Sequence, residues 1–374
     1  MVAAYLQHLK ALLHAGWLGR FPPLERALDW LLDFLTGPLT GLRTRSYWPE
    51  LVAALLIAAA VFVLRDRRPG QGVRDFLRYC FPKRIFLHRS TWVDCQLIFV
   101  NSIIYPMMNV TWRFSEALFA GWLVKALTWG FGPSPHLLNS GAHWSILSLA
   151  LITFLIAMAS DFGYYVFHLA MHRVPWMWAF HKVHHSAEVL TVFANVRVHP
   201  FELLFDGPAR AVGVSLVLGP ALYLAGGRIE LVTIFGITLG AAFVGAIGAQ
   251  LHHSHIWLSW GRTLNHILIS PAMHQIHHST AERHWNKNLA GSFALWDWIF
   301  GTIYVPEGHE QISFGLGAGK GQPHPTLLAA YLVPFHEVLE LLAARARLPR
   351  ALYRRFGPRV IAGEPSPDNP PAAE

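Results

Sequence analysis

The chain has 374 residues, of which 53% are hydrophobic and 14% charged, with a formal net charge of +8 and a mean hydropathy of +0.34. Soluble domains carry about 25% charge, and disorder needs the opposite balance of low hydrophobicity and high charge, so the composition is that of a membrane protein. Only two cysteines, Cys80 and Cys95, are present, which excludes a disulfide scaffold, a four-thiolate zinc site and an iron–sulfur cluster.

In chain order, the first apolar stretch is interrupted by Gln7, His8, Lys10 and His14, while Tyr5, Leu6, Leu9, Leu12, Leu13 and Trp17 fall at helical spacing. This predicts an amphipathic interfacial segment over residues 1–46, not a cleavable signal peptide. Spanning helices are expected over Tyr47–Leu64, Trp92–Val110 and Trp144–Ser160, each near the ~20 residues a bilayer core requires. Phe114–Phe131 contains Glu116 and Lys125 and is expected to be re-entrant. Residues 203–224 and 229–251, joined at Gly226-Gly227-Arg228, read as a transmembrane helical hairpin, with Gly236, Gly240, Gly245 and Gly248 suited to close helix packing. The chain thus divides into a transmembrane region (47–160), a histidine-rich region (161–310) with the hairpin 203–251 inserted, and a C-terminal amphipathic segment with a disordered Pro-rich tail (311–374). The pI of about 9.7 is compatible with nucleic-acid binding, but the charge is placed otherwise. Eight Lys/Arg against two Asp between Arg65 and Arg89 follow an apolar segment, the pattern of a cytoplasmic flank. Six Arg between Arg345 and Arg359 suit anionic headgroups.

The 22 histidines are unevenly spread. His168, His172, His181, His184 and His185 form one window; His252, His253, His255, His266, His274, His277, His278 and His284 form another. A hairpin between them returns the chain to the side it left, so the windows can meet. His168-x3-His172 is an i, i+4 pair, and His181-x2-His184-His185 and His274-x2-His277-His278 are i, i+3, i+4 sets. Residues so spaced are helical neighbours, about 5–6 Å apart at Cβ, and can share one metal at about 2.0–2.1 Å per nitrogen. The adjacent pairs diverge by about 100°, so one member can face a first metal and the other a second. His8, His14, His88, His136, His143, His309, His324 and His336 stand alone and read as surface or interface residues. The zinc-protease pattern His-Glu-x-x-His, the carboxylate di-iron Glu-x-x-His and the Gly-x-Ser-x-Gly elbow are all absent. Imidazole-rich, carboxylate-poor donors suit Fe, Zn or Cu over Mg or Ca.

These three patterns resemble the histidine boxes of the membrane fatty acid hydroxylase/sterol desaturase superfamily. The blocks "HKVHHSAEVLT", "RVHPFE", "SPAMHQIHH", "WNKN" and "LWDWIFGTIYVP" are similar too, so the resemblance covers roughly residues 80–315. It implies an all-α integral membrane protein whose transmembrane helices carry a cytoplasmic, histidine-rich catalytic cap. It implies two iron ions, with zinc an occupant of purified protein, and oxygen-dependent hydroxylation or desaturation of a sterol- or fatty-acyl-class lipid. The implied ligands are the eight box histidines and a ninth, His253, with His252 and His255 as alternatives. Asn288 and Asp297 are expected to orient ligands, His199 to stand behind them or wall the substrate pocket, and Asp161 to orient a ligand or cap a helix. Trp176, Trp178 and Phe180 could line a lipid slot or form a belt at the membrane surface. No acid–base or nucleophilic residue is assigned. Electrons come from a partner protein or reductase, for which Arg173, Lys182, Arg283 and Lys287 are candidate docking residues; nucleic acid is not a partner. The rival reading is a His-rich membrane metal transporter or a metal-binding protein without oxygenase activity.

Overall fold

The computed structural model describes residues 48–137, 146–227, 248–317 and 321–345, with positions 229, 233–234, 237–238, 240 and 243 besides. The expected N-terminal amphipathic segment and the Pro-rich tail lie outside the described residues. Helix α1 (Trp48–Val61) runs into a π turn, Phe62–Asp66; together they rise about 28 Å, close to the ~30 Å hydrocarbon core. α2 (Val73–Cys80) folds back so that Phe76, Tyr79 and Cys80 pack with Ala54, Ala58 and Val61 of α1 and with Leu251 and Ile256.

α3 (Arg89–Phe131) is one helix of 43 residues, roughly 64 Å long. The expected separation of 92–110 from a re-entrant 114–131 is therefore corrected. Val110-Thr111-Trp112-Arg113-Phe114 contains no Gly or Pro to break the helix. The first turns of α3 are packed among polar and apolar groups of the histidine region: Val93 and Leu97 touch Val183, and Asn101 Nδ2 donates to Val198 O at 2.9 Å.

α4 (Ile146–Arg173) and α6 (Pro200–Ala225) are long apolar helices joined by α5 (Pro175–His185). Prolines at the first helical position start α5 and α6, where the missing N–H is no loss. Gly226 ends α6 in the left-handed region at φ 72°. α6 packs along both α3 and α4. The contact with α4 is backbone-close: a Cβ on Gly163 would meet Ala209 O at 2.3 Å, and one on Gly213 would meet Ala159 O at 2.0 Å. Small residues four apart on both helices thus let the two backbones touch.

The expected second hairpin arm is not an uninterrupted helix. Thr233–Ile234 pairs antiparallel with Ile237–Thr238. The run Val232-Thr233-Ile234 and Ile237-Thr238 is β-branched, with Gly236 between, and such residues are poor helix formers.

Beyond it come α7 (Pro271–His277), α8 (Leu295–Phe300) and α9 (Leu327–Arg345). Ser270 caps α7 by accepting from Met273 N, and Pro271 follows at the first helical position. Tyr165 of α4 packs with Ile269, Met273, Leu289, Ala290 and Ala294, which joins the end of α4 to the loops around α7. α9 lies against α5, with Lys182 and Glu337 paired and Ala330 packed beside Val183. Its other face exposes Leu328, Leu332, Leu339 and Leu342. By length and composition, Leu147–Arg173, Pro200–Ala225 and Leu327–Ala344 could each cross a membrane.

Candidate metal centre

Four elements bring the histidines together. α4 carries His168 and His172 at its end, α5 carries His181, His184 and His185, the loop after Gly248 carries His253, and α7 carries His274 and His277 with His278 as its C-cap. Their ring nitrogens fall into two groups. His168, His172, His181, His185 and His277 form one; His184, His253, His274 and His278 form the other; within each, the donor atoms lie within 4.8 Å of one another. The adjacent pairs are divided: His184 and His278 face the four-membered set, His185 and His277 the five-membered one. Among the nine rings only His172 is more than marginally exposed.

The donor arrangement fits metal ions. His168 Nδ1 lies 2.6 Å from Leu289 O, a carbonyl that can only accept, so the proton is on Nδ1 and Nε2 is a bare lone pair. His181 Nδ1 lies 3.2 Å from Glu202 Oε2, so its Nε2 is bare as well. Those two Nε2 atoms are 3.0 Å apart. Two lone pairs facing each other in a dry interior repel, and a cation between them converts the clash to ligation. His277 repeats the pattern, with Nδ1 donating to Lys287 O at 2.9 Å and a buried Nε2 without a hydrogen-bond partner. In the four-membered set, His253 Nε2 lies 3.0 Å from His184 Nε2, 2.9 Å from His274 Nε2 and 3.1 Å from His278 Nε2. With bonds of about 2.1 Å, such edges subtend roughly 90°, whereas a tetrahedron has edges of about 3.4 Å. The observed separations are shorter than the edge of a closed tetrahedral zinc site.

Electrostatics keep the ligands neutral. Burial holds His181, His185, His274 and His278 well below the ordinary imidazole range, with neighbouring imidazoles adding to it. Burial also pushes His277 down to about 4. Neutral imidazole is the ligating form.

The remaining expected residues stand one step back. Asn288 bonds Met273 O, Tyr304 O and Tyr304 N. Asp297 accepts from Leu289 N at 2.8 Å, Ala290 N at 2.9 Å and Thr302 Oγ1 at 2.6 Å. Both therefore fix the 287–290 backbone, whose carbonyls hold His168 and His277. Asn286 and Asn288 sit at φ 56° and 55°, a region Asn tolerates better than most residues. Asp161 accepts from Phe293 N at 3.0 Å, which pins that loop to α4. His199 caps α6 by accepting from Phe201 N at 3.0 Å, and its other nitrogen bonds Tyr331 O at 3.1 Å. His252 bonds Ile269 O and His255 bonds Tyr79 O, so neither belongs to a donor set. His324, expected at the surface, is fully buried over Arg197, whose Nη2 reaches its carbonyl.

Trp178 lies 5.2 Å from the His172 ring and 5.3 Å from that of His185, while Phe180 stacks on Phe201 at 4.4 Å. Of the candidate docking cations, Lys182 is paired with Glu337 and Arg283 with Glu310.

Two residues escaped the sequence reading. Glu202 is bonded to a box histidine, and Arg197 is fully buried, bonded to Asp94 Oδ1 at 2.8 Å and to Val183 O at 2.8 Å. Both lie in the block "RVHPFE", and its acidic and basic residues beside a His-Pro helix start were the available signal.

Residues 153–302 match the model of the fatty acid hydroxylase family. The chain is 30% identical over 160 residues to alkylglycerol monooxygenase of Homo sapiens, covering 42% of this chain and 31% of that protein. It is 28% identical over 177 residues to ornithine lipid hydroxylase OlsE of Rhizobium tropici, 47% of this chain and 48% of that one. It is 28% identical over 183 residues to cholesterol 25-hydroxylase of Homo sapiens, 46% and 57% respectively. The chain thus spans about a third to just over half the length of these curated relatives. No solved structure matches it. The matched stretch, residues 153–302, contains all nine clustered histidines, so it is the histidine-bearing part of this chain that is similar to the fatty acid hydroxylase family.

Proposed function

We propose that this protein is an integral-membrane di-iron oxygenase that hydroxylates a membrane lipid with O2 and externally supplied electrons. The observation that carries the reading is the division of nine imidazoles, eight of them buried, into two donor sets, one ion to each. Iron held there supplies dioxygen activation and oxidation of an unactivated C–H bond. The balance is one lipid C–H bond, O2, two electrons and two protons in, and one alcohol and one water out.

The chain's own residues do the rest. Leu289 O, Lys287 O and Glu202 fix the tautomers of His168, His277 and His181, so that every Nε2 is presented bare. Burial keeps these rings neutral and excludes bulk water from the reacting carbon. The relatives' names favour hydroxylation over desaturation and a lipid over a soluble substrate. The two electrons enter from a partner protein or reductase; Arg173 is exposed beside His172 and suits an acidic one.

The basic run Arg65–Arg89 supports a cytoplasmic location for the metal side. α3 and α4 each cross once, which is the even number needed to bring His168 to that same side. α9 lies in the interface plane, because one face is packed against the box helix α5 while the other offers an apolar stripe. A transporter reading is disfavoured because the donors form two closed sets at one end of the helices, whereas a transport path would distribute ionisable groups along the spans.

Comparative lipid mass spectrometry of cells making wild type and His184→Ala tests the proposal. A lipid heavier by about 16 mass units, present only with wild type, is expected. A loss of about 2 mass units would indicate desaturation, and no difference between the two strains would refute oxygenase activity.

A further inference from the structure

The two donor sets are unequal in ways the boxes alone do not reveal. One has five imidazoles and the other four. Behind the five-membered set stand three different acceptors: Leu289 O for His168, Lys287 O for His277 and the Glu202 carboxylate for His181. Glu202 lies in the first turn of α6, at the end nearest α5, and is buried. Its Oε2 is 3.2 Å from His181 Nδ1, and His181 Nε2 in turn lies 3.0 Å from His168 Nε2 and 3.2 Å from His185 Nε2. The carboxylate is therefore linked through one ring to the middle of the set. A carbonyl fixes a tautomer; a carboxylate also adds negative charge and makes the opposite nitrogen more basic.

Resting on the di-iron reading above, we propose that Glu202 is a positioning residue that makes the five-histidine position the tighter metal site, leaving the four-histidine position as the more weakly held and coordinatively open one. Glu202 acts through His181 and touches no reacting atom. Its charge favours the cation at the five-histidine position. The four-histidine position, with one imidazole fewer, keeps room for an exogenous ligand. The two metals are then chemically distinct before any substrate arrives.

The test is iron uptake, not turnover. Full-length protein in lipid nanodiscs is stripped with a chelator and titrated anaerobically with 57Fe(II). Wild type should take up two irons unequally and show two Mössbauer doublets of equal area at saturation. Glu202→Gln keeps an acceptor for His181 Nδ1 and removes the charge. It should weaken one position about tenfold and shift one doublet, while the other position and doublet stay as in wild type. Glu202→Leu removes the acceptor too and should weaken the same position about a hundredfold. Wild-type affinities and spectra in both variants would overturn the proposal, as would equal weakening of both positions, the mark of a mere packing role. Glu202→Gln is nearly isosteric, so the proposal stays falsifiable even if Glu202→Leu does not fold. Wild type that takes up fewer than two irons overturns the di-iron reading and this inference with it. Two wild-type irons indifferent to Glu202 overturn this inference alone.

Discussion

Replacing Arg197 by Met removes a guanidinium with no exposed surface that ties together four parts of the chain. It bonds Val183 O at 2.8 Å in the second box, Asp94 Oδ1 at 2.8 Å and Ser90 O at 3.3 Å in α3, Ser186 Oγ at 3.0 Å, and His324 O at 3.4 Å. Asp94 is equally buried, and its second oxygen already lacks a hydrogen-bond partner. Arg197→Met therefore strands a carboxylate in a dry interior. Breaking a buried pair from one side costs about 3–5 kcal/mol, roughly two to four orders of magnitude in the folded-to-unfolded ratio. Arg197→Lys keeps a charge for Asp94, but a single ammonium cannot reach five acceptors, so it should recover only part of the loss. The double variant Asp94→Leu/Arg197→Met leaves no uncompensated charge and should lie well above Arg197→Met. The assay is equilibrium unfolding in mixed detergent micelles, followed by tryptophan fluorescence, with metal content measured in parallel because Val183 sits between His181 and His184. A loss under about 1 kcal/mol for Arg197→Met, or a double variant as unstable as the single, would refute the reasoning.

Three further outcomes are expected. Burial holds His199 down to about 4 and His324 to about 3, whereas their unfolded counterparts titrate near 6.5. The stability each contributes is complete above pH 6.5 and is lost as pH falls through that value toward 4 and 3. The thermal midpoint should therefore drop on the acid side, and His324→Leu should flatten the drop; identical pH profiles for the two proteins would contradict this. Gly213→Val drives a side chain into Ala159 O, which a Cβ would meet at 2.0 Å. It should part α4 from α6, moving His168 and His172 away from Glu202, and cost at least the 1–3 kcal/mol typical of overpacking. A Gly213→Val protein with wild-type stability and metal content would show that the close approach is unimportant. His253→Gln should empty the four-histidine position, whereas His252→Gln and His255→Gln, whose rings bond Ile269 O and Tyr79 O, should retain metal at both. The reverse order in metal analysis would overturn the assignment of His253.

The clustered histidines were legible because their spacing is helical, which puts residues three and four apart on one face. Spacing of three and four residues singled out the box histidines, and the divergence of about 100° between adjacent positions is consistent with His184 and His185, like His277 and His278, falling in different donor sets. The support behind them was hidden for a physical reason. His168 and His277 donate to backbone carbonyls of Leu289 and Lys287, and a carbonyl leaves no residue-type signature. Asn288 and Asp297 were chosen for proximity in the sequence, yet their bonds go to the backbone that offers those carbonyls. The membrane segments were read from hydropathy, which reports whether a stretch is apolar and says little about where a helix stops. That is why hydropathy divides α3 in two and predicts helix for the β-branched stretch around Thr233. α9 exposes a stripe of Leu328, Leu332, Leu339 and Leu342, and its packing against α5 depends on long-range contacts that no local pattern encodes.

The length of the spanning helices explains how distant boxes come to share one centre. His168 lies about 22 residues into α4, a rise of roughly 33 Å, just past a hydrocarbon core of about 30 Å. The first turns of α3 reach the same level, where Asn101, Asp94 and Ser90 bond the segment around Arg197. The histidine region is thus built on the ends of long helices, the last turns of α4 and the first turns of α3 and α6. Close packing of Gly163 and Gly213 fixes the height of α4 against α6, and with it the height of His168 against Glu202. A slip of one helical turn, about 5.4 Å, would exceed every donor separation within either set. The small-residue contacts between α4 and α6 and the donor geometry at the end of α4 are therefore one constraint, and a substitution at either is felt at the other.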